Sequence, residues 1–286
     1  MKRFKSVKIA SILGIVCNLF LLIIKAIIGF ITSSSAMIAD AFNSGGDIFS
    51  SFMTFIGNSI ASKPCDEDHN LGHGKAEYIY SMFISIVMIF MALFVLKDSF
   101  ASIFNNSKYT FSIWLIIVCI VTIITKLMLY IYTNKLAKRY NNLLIKANSK
   151  DHRNDSVITL CNLIACVLTL YNIYWFDGVV GVGISIWMII TGIKIFKESY
   201  DVLMDKSISN ETKEKVLEII KAHEEIKKII HFNSTPVGYK YQISFTIYVD
   251  GNLTTFESHK IADNLEKEIV KKIDEIYLTV IHVNPM

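Results

Sequence analysis

Six stretches of the chain stay apolar for about the length of a bilayer crossing: residues 9–31, 36–61, 77–103, 111–133, 156–176 and 178–200. The hydrocarbon core takes ~20 apolar residues per helix, so each stretch predicts one spanning helix. The first follows a basic start, MKRFKSVK, that resembles a secretion signal. Its apolar run is longer than a signal core and lacks a small-x-small cleavage site, so a retained helix is expected. From about Lys206 the pattern changes. Residues 210–223 repeat apolar and charged groups with helical period, placing Val216, Leu217 and Ile220 on one face. A short strand at IKKIIHF follows. Tyr241, Ile243, Phe245, Ile247 and Val249 then alternate with polar residues as in a half-buried strand. Ile261, Leu265 and Ile269 mark another helix, and IYLTVIHV alternates again. The predicted architecture is a six-helix transmembrane bundle (residues 1–206) followed by a cytosolic α+β domain (residues 207–286). That domain has the order αββαβ, with helices on one face of a small antiparallel-rich sheet.

Composition agrees with this division. Of the 286 residues, 52% are hydrophobic and 19% charged, and the mean hydropathy is +0.44, too apolar for an ordinary soluble domain. Lys and Arg near the helix ends set the orientation. Twelve fall on one side, at the N-terminus, between the second and third helices and over residues 134–154, whereas the opposite loops carry Lys97 and Lys108. Both termini are therefore expected in the cytosol, and a plasma membrane is the expected location. The last 81 residues hold eleven Lys against twelve Asp and Glu, so no basic patch for nucleic acid is present. Cys17, Cys119, Cys161 and Cys166 lie in apolar runs and Cys65 in a polar loop, with no spacing that suggests a disulfide framework.

Ionisable groups inside spanning helices are expensive and mark ion pathways. In DAFNSGGDIFS, Asn43 and Asp47 are four apart and share a helix face, with Asp40 one turn earlier. In SKDHRNDSVITL, Asp151 and Asp155 are again four apart, at the start of the fifth predicted helix. Two such pairs on facing helices can supply four oxygen ligands to one ion, as in bundle-core metal sites. Asp40 fits equally as a ligand or as a support for one. The blander alternative is a solvated charge run at Asp151 and an interhelical hydrogen bond at Asn43. In the loop CDEDHNLGHGK, Asp66, His69 and His73 fit a smaller metal site, or simply a polar loop.

These segments together resemble the cation diffusion facilitator family over nearly the whole chain, closest to its manganese-exporting members. SSSAMIADAFNSGGD resembles its second helix, KPCDEDHNLGHGKAEY the loop before the third, SKDHRNDS the fifth and FDGVVGVGIS the start of the sixth. The resemblance implies a proton-coupled exporter of divalent metals, a homodimer, with a metallochaperone-like cytosolic domain of ferredoxin-like type. It puts Asn43, Asp47, Asp151 and Asp155 at the four positions of the transport site, where zinc-preferring members carry a histidine. It also implies a regulatory or relay site in the loop, and metal at the dimer interface held by His231, His259 and His282. Ser244 and Asn284 stand where the family commonly has histidine and aspartate. Lys75 and Asp205 match residues that pair across the dimer, which implies a role as hinge contacts.

Three carboxylates and one amide carbonyl are hard donors, which suit manganese, magnesium or calcium better than imidazole and thiolate do. Mn(II) is the expected cargo, followed by Fe(II), then Zn(II) or Cd(II). Gathered carboxylates repel one another and tend to hold protons, which a divalent ion expels. Protons are therefore the expected coupling ion, and no further cofactor and no catalytic residue are expected. An intramembrane hydrolase is the first rival, but no GxSxG or HExxH motif appears. A non-transporting membrane metal sensor is the second rival, disfavoured by the weakened tail ligand set.

Overall fold

A computed structural model describes residues 2–31, 35–105, 113–168 and 175–286. Lys108 and the side chains of Asp40 and Asn43 lie outside the described residues. The chain divides into two compact units, residues 1–62 with 76–200 and residues 63–75 with 201–286.

The first unit consists of α1 (Lys2–Ile31), α2 (Ser35–Ala61), α3 (Ala76–Asn105), α4 (Ile113–Tyr140), α5 (Leu143–Leu168) and α6 (Trp175–Leu203, whose last residues belong to the second unit). Its packing is inverted relative to a soluble protein. On α1, Ile9, Val16, Phe20, Ile23 and Ile27 face outward, while Ser11, Asn18 and Lys25, seven residues apart, are buried. On α2 the buried polar positions are Ser44, Asp47, Ser50, Ser51, Thr54 and Asn58. A helix whose oily face points outward is suited to lipid, which leaves the polar face to be satisfied inside the bundle. Among the described residues, α1, α3 and α4 each contain a stretch long and apolar enough to cross a membrane. α1 packs along α2, and α4 along α5. α6 approaches α3 closely through small residues: a Cβ added at Gly181 would lie 2.1 Å from Ser99 Oγ.

α5 differs from expectation. It begins at Leu143 rather than near residue 156, so Asp151 and Asp155 sit within the helix rather than at its start. The stretch LLIKANSKDHRND reads as polar chain, yet Leu144, Ile145, Ala147, Asn148, Ser149, His152 and Asn154 are all buried. Helix neighbours, rather than lipid, cover this half of α5, so it has no need of an oily face.

In the second unit, α7 (Asn210–Lys221) starts at Ser209, whose hydroxyl caps the Thr212 N–H. α8 (Thr255–Lys272) starts with a capping box between Thr254 and Glu257. The three-stranded sheet has the order β1 (Lys228–Val237), β2 (Lys240–Val249), β3 (Ile276–Pro285). β1 and β2 are antiparallel, but β2 and β3 are parallel, which makes the sheet mixed rather than antiparallel-rich. The reason is the connection: α8 carries the chain back along the sheet before β3 begins, as a parallel pair requires. Ile243, Phe245 and Ile247 of β2 form one core with Val216 and Ile220 of α7 and Leu265 and Ile269 of α8. Residues 63–75 belong to this unit. Gly74 lies against the β1–β2 turn so closely that a Cβ there would be 2.8 Å from Gly238 Cα.

Candidate metal transport site

Asp47 of α2 and Asp151 and Asp155 of α5 converge inside the bundle, each offering an oxygen within 4.8 Å of the others. Their relative exposures are 6%, 9% and 8%, so all three are sheltered from solvent. Helical spacing explains the convergence. Asp151 and Asp155 are one turn apart on α5, and α2 packs against that helix. The Ser50 hydroxyl, one turn from Asp47, lies beside the Asp151 carboxyl. Asn43 lies one turn from Asp47 on α2 in the other direction.

A fourth charged group completes the cluster. Lys126 of α4, 1% exposed, donates from Nζ to Asp155 Oδ2 at 2.7 Å and also to Asp47 Oδ2. One ammonium thus joins carboxylates from α2 and α5. By hydropathy the run IITKLMLYIY is simply part of the fourth span, 111–133. The signal lay in the lone lysine, since a cation in the middle of an apolar run needs a partner as much as a carboxylate does. Lys25 in LLIIKAIIG carries the same signal, and its ammonium donates to Ser44 Oγ at 3.1 Å. His152, next to Asp151, is buried with neither ring nitrogen hydrogen-bonded among the described residues.

The loop residues also come together. The His69 N–H donates to Asp66 Oδ1 at 2.7 Å, and this bond is the main reason the Asp66 carboxyl is held below its ordinary range. His73 Nδ1 lies 3.2 Å from the Pro64 carbonyl. A carbonyl only accepts, so Nδ1 carries a hydrogen, and Nε2 lies 3.4 Å from Asp66 Oδ2. One ring nitrogen anchored on a carbonyl, with the other turned towards the cluster, is the usual preparation of a ligating histidine. The rings of His69 and His73 lie 4.3 Å apart. Gly72, with φ of +75°, makes the turn that returns His73 to this position. Cys65 is exposed beside the group.

His231, His259 and His282 are exposed on β1, α8 and β3. Among the described residues, neither cluster of ligating side chains includes any of them. His231 has φ of +56° within the irregular pairing between Ile230 and Asn233. His223 instead bonds Glu268 at 2.9 Å. Lys75 and Asp205 form an ion pair at 2.7 Å within one chain.

Comparison with known families decides the class. The transmembrane domain of cation efflux proteins matches residues 11–204, and the cytoplasmic domain of the same proteins matches residues 208–286. The chain belongs to the cation efflux family. It is an integral membrane protein of the cation diffusion facilitator type, a metal transporter and not an enzyme, with a dimerising domain after its helices. It is 29% identical over 293 residues to the manganese efflux system protein MneS of Bacillus subtilis (strain 168), covering 100% of this chain and 99% of that protein. It is 26% identical over 262 residues to the magnetosome protein MamB of Magnetospira sp. (strain QH-2), covering 92% of this chain and 89% of that protein. Among solved structures, the metal-bound C-terminal domain of the CzcD transporter from Thermotoga maritima is 23% identical. It covers 27% of this chain and 94% of that one, with a TM-score of 0.26.

Proposed function

We propose that this protein exports Mn(II) from the cytosol in exchange for protons, working as a homodimer in the plasma membrane with both termini cytosolic. The observation that carries this reading is the convergence of Asp47, Asp151 and Asp155 inside the bundle, with Asn43 one turn along α2 from Asp47. In this reading those four residues are the ligands, and the cargo is held near mid-membrane between helices that rock around it. An all-oxygen set removes the imidazole and thiolate donors that favour zinc and iron. The likeness to a manganese efflux protein over the full chain supports the same choice of metal. Proton exchange follows if the carboxylates take up protons when the metal leaves. Asp66, His69 and His73 form a second, accessory metal site, and His231, His259 and His282 contribute to metal binding only where two copies meet.

The test is metal content in manganese-sensitive cells. The intact protein lowers cell manganese, whereas Asp47→Ala and Asp155→Ala do not. Unchanged manganese with the intact protein, or retained export by both variants, defeats this reading. In proteoliposomes, a transport rate indifferent to the pH gradient defeats the proton exchange.

A further inference from the structure

We propose that Lys126 is a tethered counter-cation of the transport site: its ammonium sits between Asp47 and Asp155 in the metal-free protein, and the divalent cargo must displace it. This rests on the transport-site reading above. Three observations carry it. The ammonium is buried and bonds Oδ2 of both Asp47 and Asp155, two of the three carboxylates that the cluster gathers. It comes from α4, a third helix that supplies no carboxylate to the cluster, so its role is separate from that of the ligands. And a lysine head is a compact point charge on a flexible four-carbon stem, able to withdraw without moving its helix.

The charge balance gives the residue a purpose. Three ionised carboxylates and one ammonium leave two negative charges, which a single divalent ion cancels. Without the ammonium the site would carry three negative charges around one divalent ion and would release it reluctantly. Lys126 therefore trades affinity for turnover. It also ties α2 to α5 through Asp47 and Asp155 while the site holds no cargo, which leaves Asp151 as the carboxylate outside that bridge. Metal binding loosens that tie, which gives the cargo a differential interaction with the two states of the bundle, as any ligand-driven switch requires.

The experiment uses the full-length purified protein, with Mn²⁺ binding read by the loss of the free-ion paramagnetic resonance signal and transport read in proteoliposomes. Removing a like charge at contact distance is expected to tighten Mn²⁺ binding by about tenfold or more in Lys126→Met. Transport turnover falls in the same variant. Lys126→Arg keeps the charge, and its Mn²⁺ affinity is expected to stay within ~3-fold of wild type. Equal or weaker Mn²⁺ binding by Lys126→Met overturns the proposal. Asp155→Asn separates the two ideas: if it still binds and transports Mn²⁺, the transport-site reading itself fails. If Asp155→Asn is inactive and Lys126→Met is unchanged, only the counter-cation fails. Should Lys126→Met not fold, wild-type protein is treated with a membrane-permeant amine-acylating reagent and mapped by mass spectrometry. Labelling of Lys126 that rises several-fold on saturation with Mn²⁺ supports displacement, and labelling indifferent to Mn²⁺ overturns it.

Discussion

The buried ion pair between Arg3 and Glu77 offers a quantitative test of how the bundle is held together. The guanidinium Nη2 lies 2.5 Å from Glu77 Oε2, and the two side chains are 9% and 2% exposed. The other carboxylate oxygen accepts the Leu143 N–H at 2.7 Å, and Arg3 Nε donates to the Tyr140 carbonyl at 3.3 Å. Four chain segments meet here: the starts of α1, α3 and α5 and the end of α4. Removing one member of a buried pair typically costs 3–5 kcal/mol, whereas replacing both is often close to neutral. Glu77→Gln keeps an oxygen for Leu143, so it isolates the charge, and the lower end, about 3 kcal/mol, is expected. Arg3→Met with Glu77→Gln should recover at least ~2 kcal/mol of that loss, because the remaining amide needs no counter-charge. The assay is reversible unfolding in mixed micelles, followed by tryptophan fluorescence across the double-mutant cycle. A single-variant loss under ~1 kcal/mol, or a double variant no better than Glu77→Gln, would show that the pair is not what joins these helices.

Three further outcomes are expected. Asn43→His introduces an imidazole into an all-oxygen set and should shift transport preference from manganese towards zinc, measured by competition uptake in proteoliposomes; unchanged selectivity refutes the argument from donor hardness. Asp66→Asn and His73→Ala should each remove one class of weak metal binding in titration calorimetry while export persists; complete loss of export in either would make the loop part of the transport path. The Lys272 ammonium, and after it His223, hold Glu268 below the usual carboxylate range. The stabilisation this carboxylate provides is therefore complete above its ordinary pKa of about 4.3 and is lost as pH falls through its lower folded value. A ¹³C-carboxyl titration of Glu268 with its midpoint at or above ~4.3 would contradict this.

The tail was legible because it obeys soluble rules. Alternation at Ile243, Phe245 and Ile247 and helical spacing at Val216 and Ile220 locate the elements whose inward faces make the core. The parallel pairing of β2 and β3 is not in the alternation, because alternation fixes a strand's face and says nothing of its direction. The bundle was legible only from its outer face. Oily runs mark where lipid is met, so the first half of α5, enclosed by other helices, passed for loop. Asp47, Asp151 and Asp155 stood out because their four-residue pairing is visible along the chain. Lys126 pairs with nothing nearby in sequence; its partners are 79 and 29 residues away, and only the packing of α4 reveals them.

The loop that carries Asp66, His69 and His73 is encoded between two membrane helices, yet it packs as part of the C-terminal unit. The polypeptide therefore passes between the two units three times, after residues 62, 75 and 200. Such a tail is not a detachable cassette. A stop codon near residue 206 would leave Gly74 without the Gly238 turn that it rests on, stripping a histidine-bearing segment of its support far upstream of the lesion. Exchanging tails between relatives would meet the same obstacle, because the unit to be matched includes thirteen residues from the first third of the chain, 63–75. Inheritance of the two units is thus coupled: a change in one strand turn at Gly238 has to be tolerated by a loop encoded some hundred and sixty codons earlier.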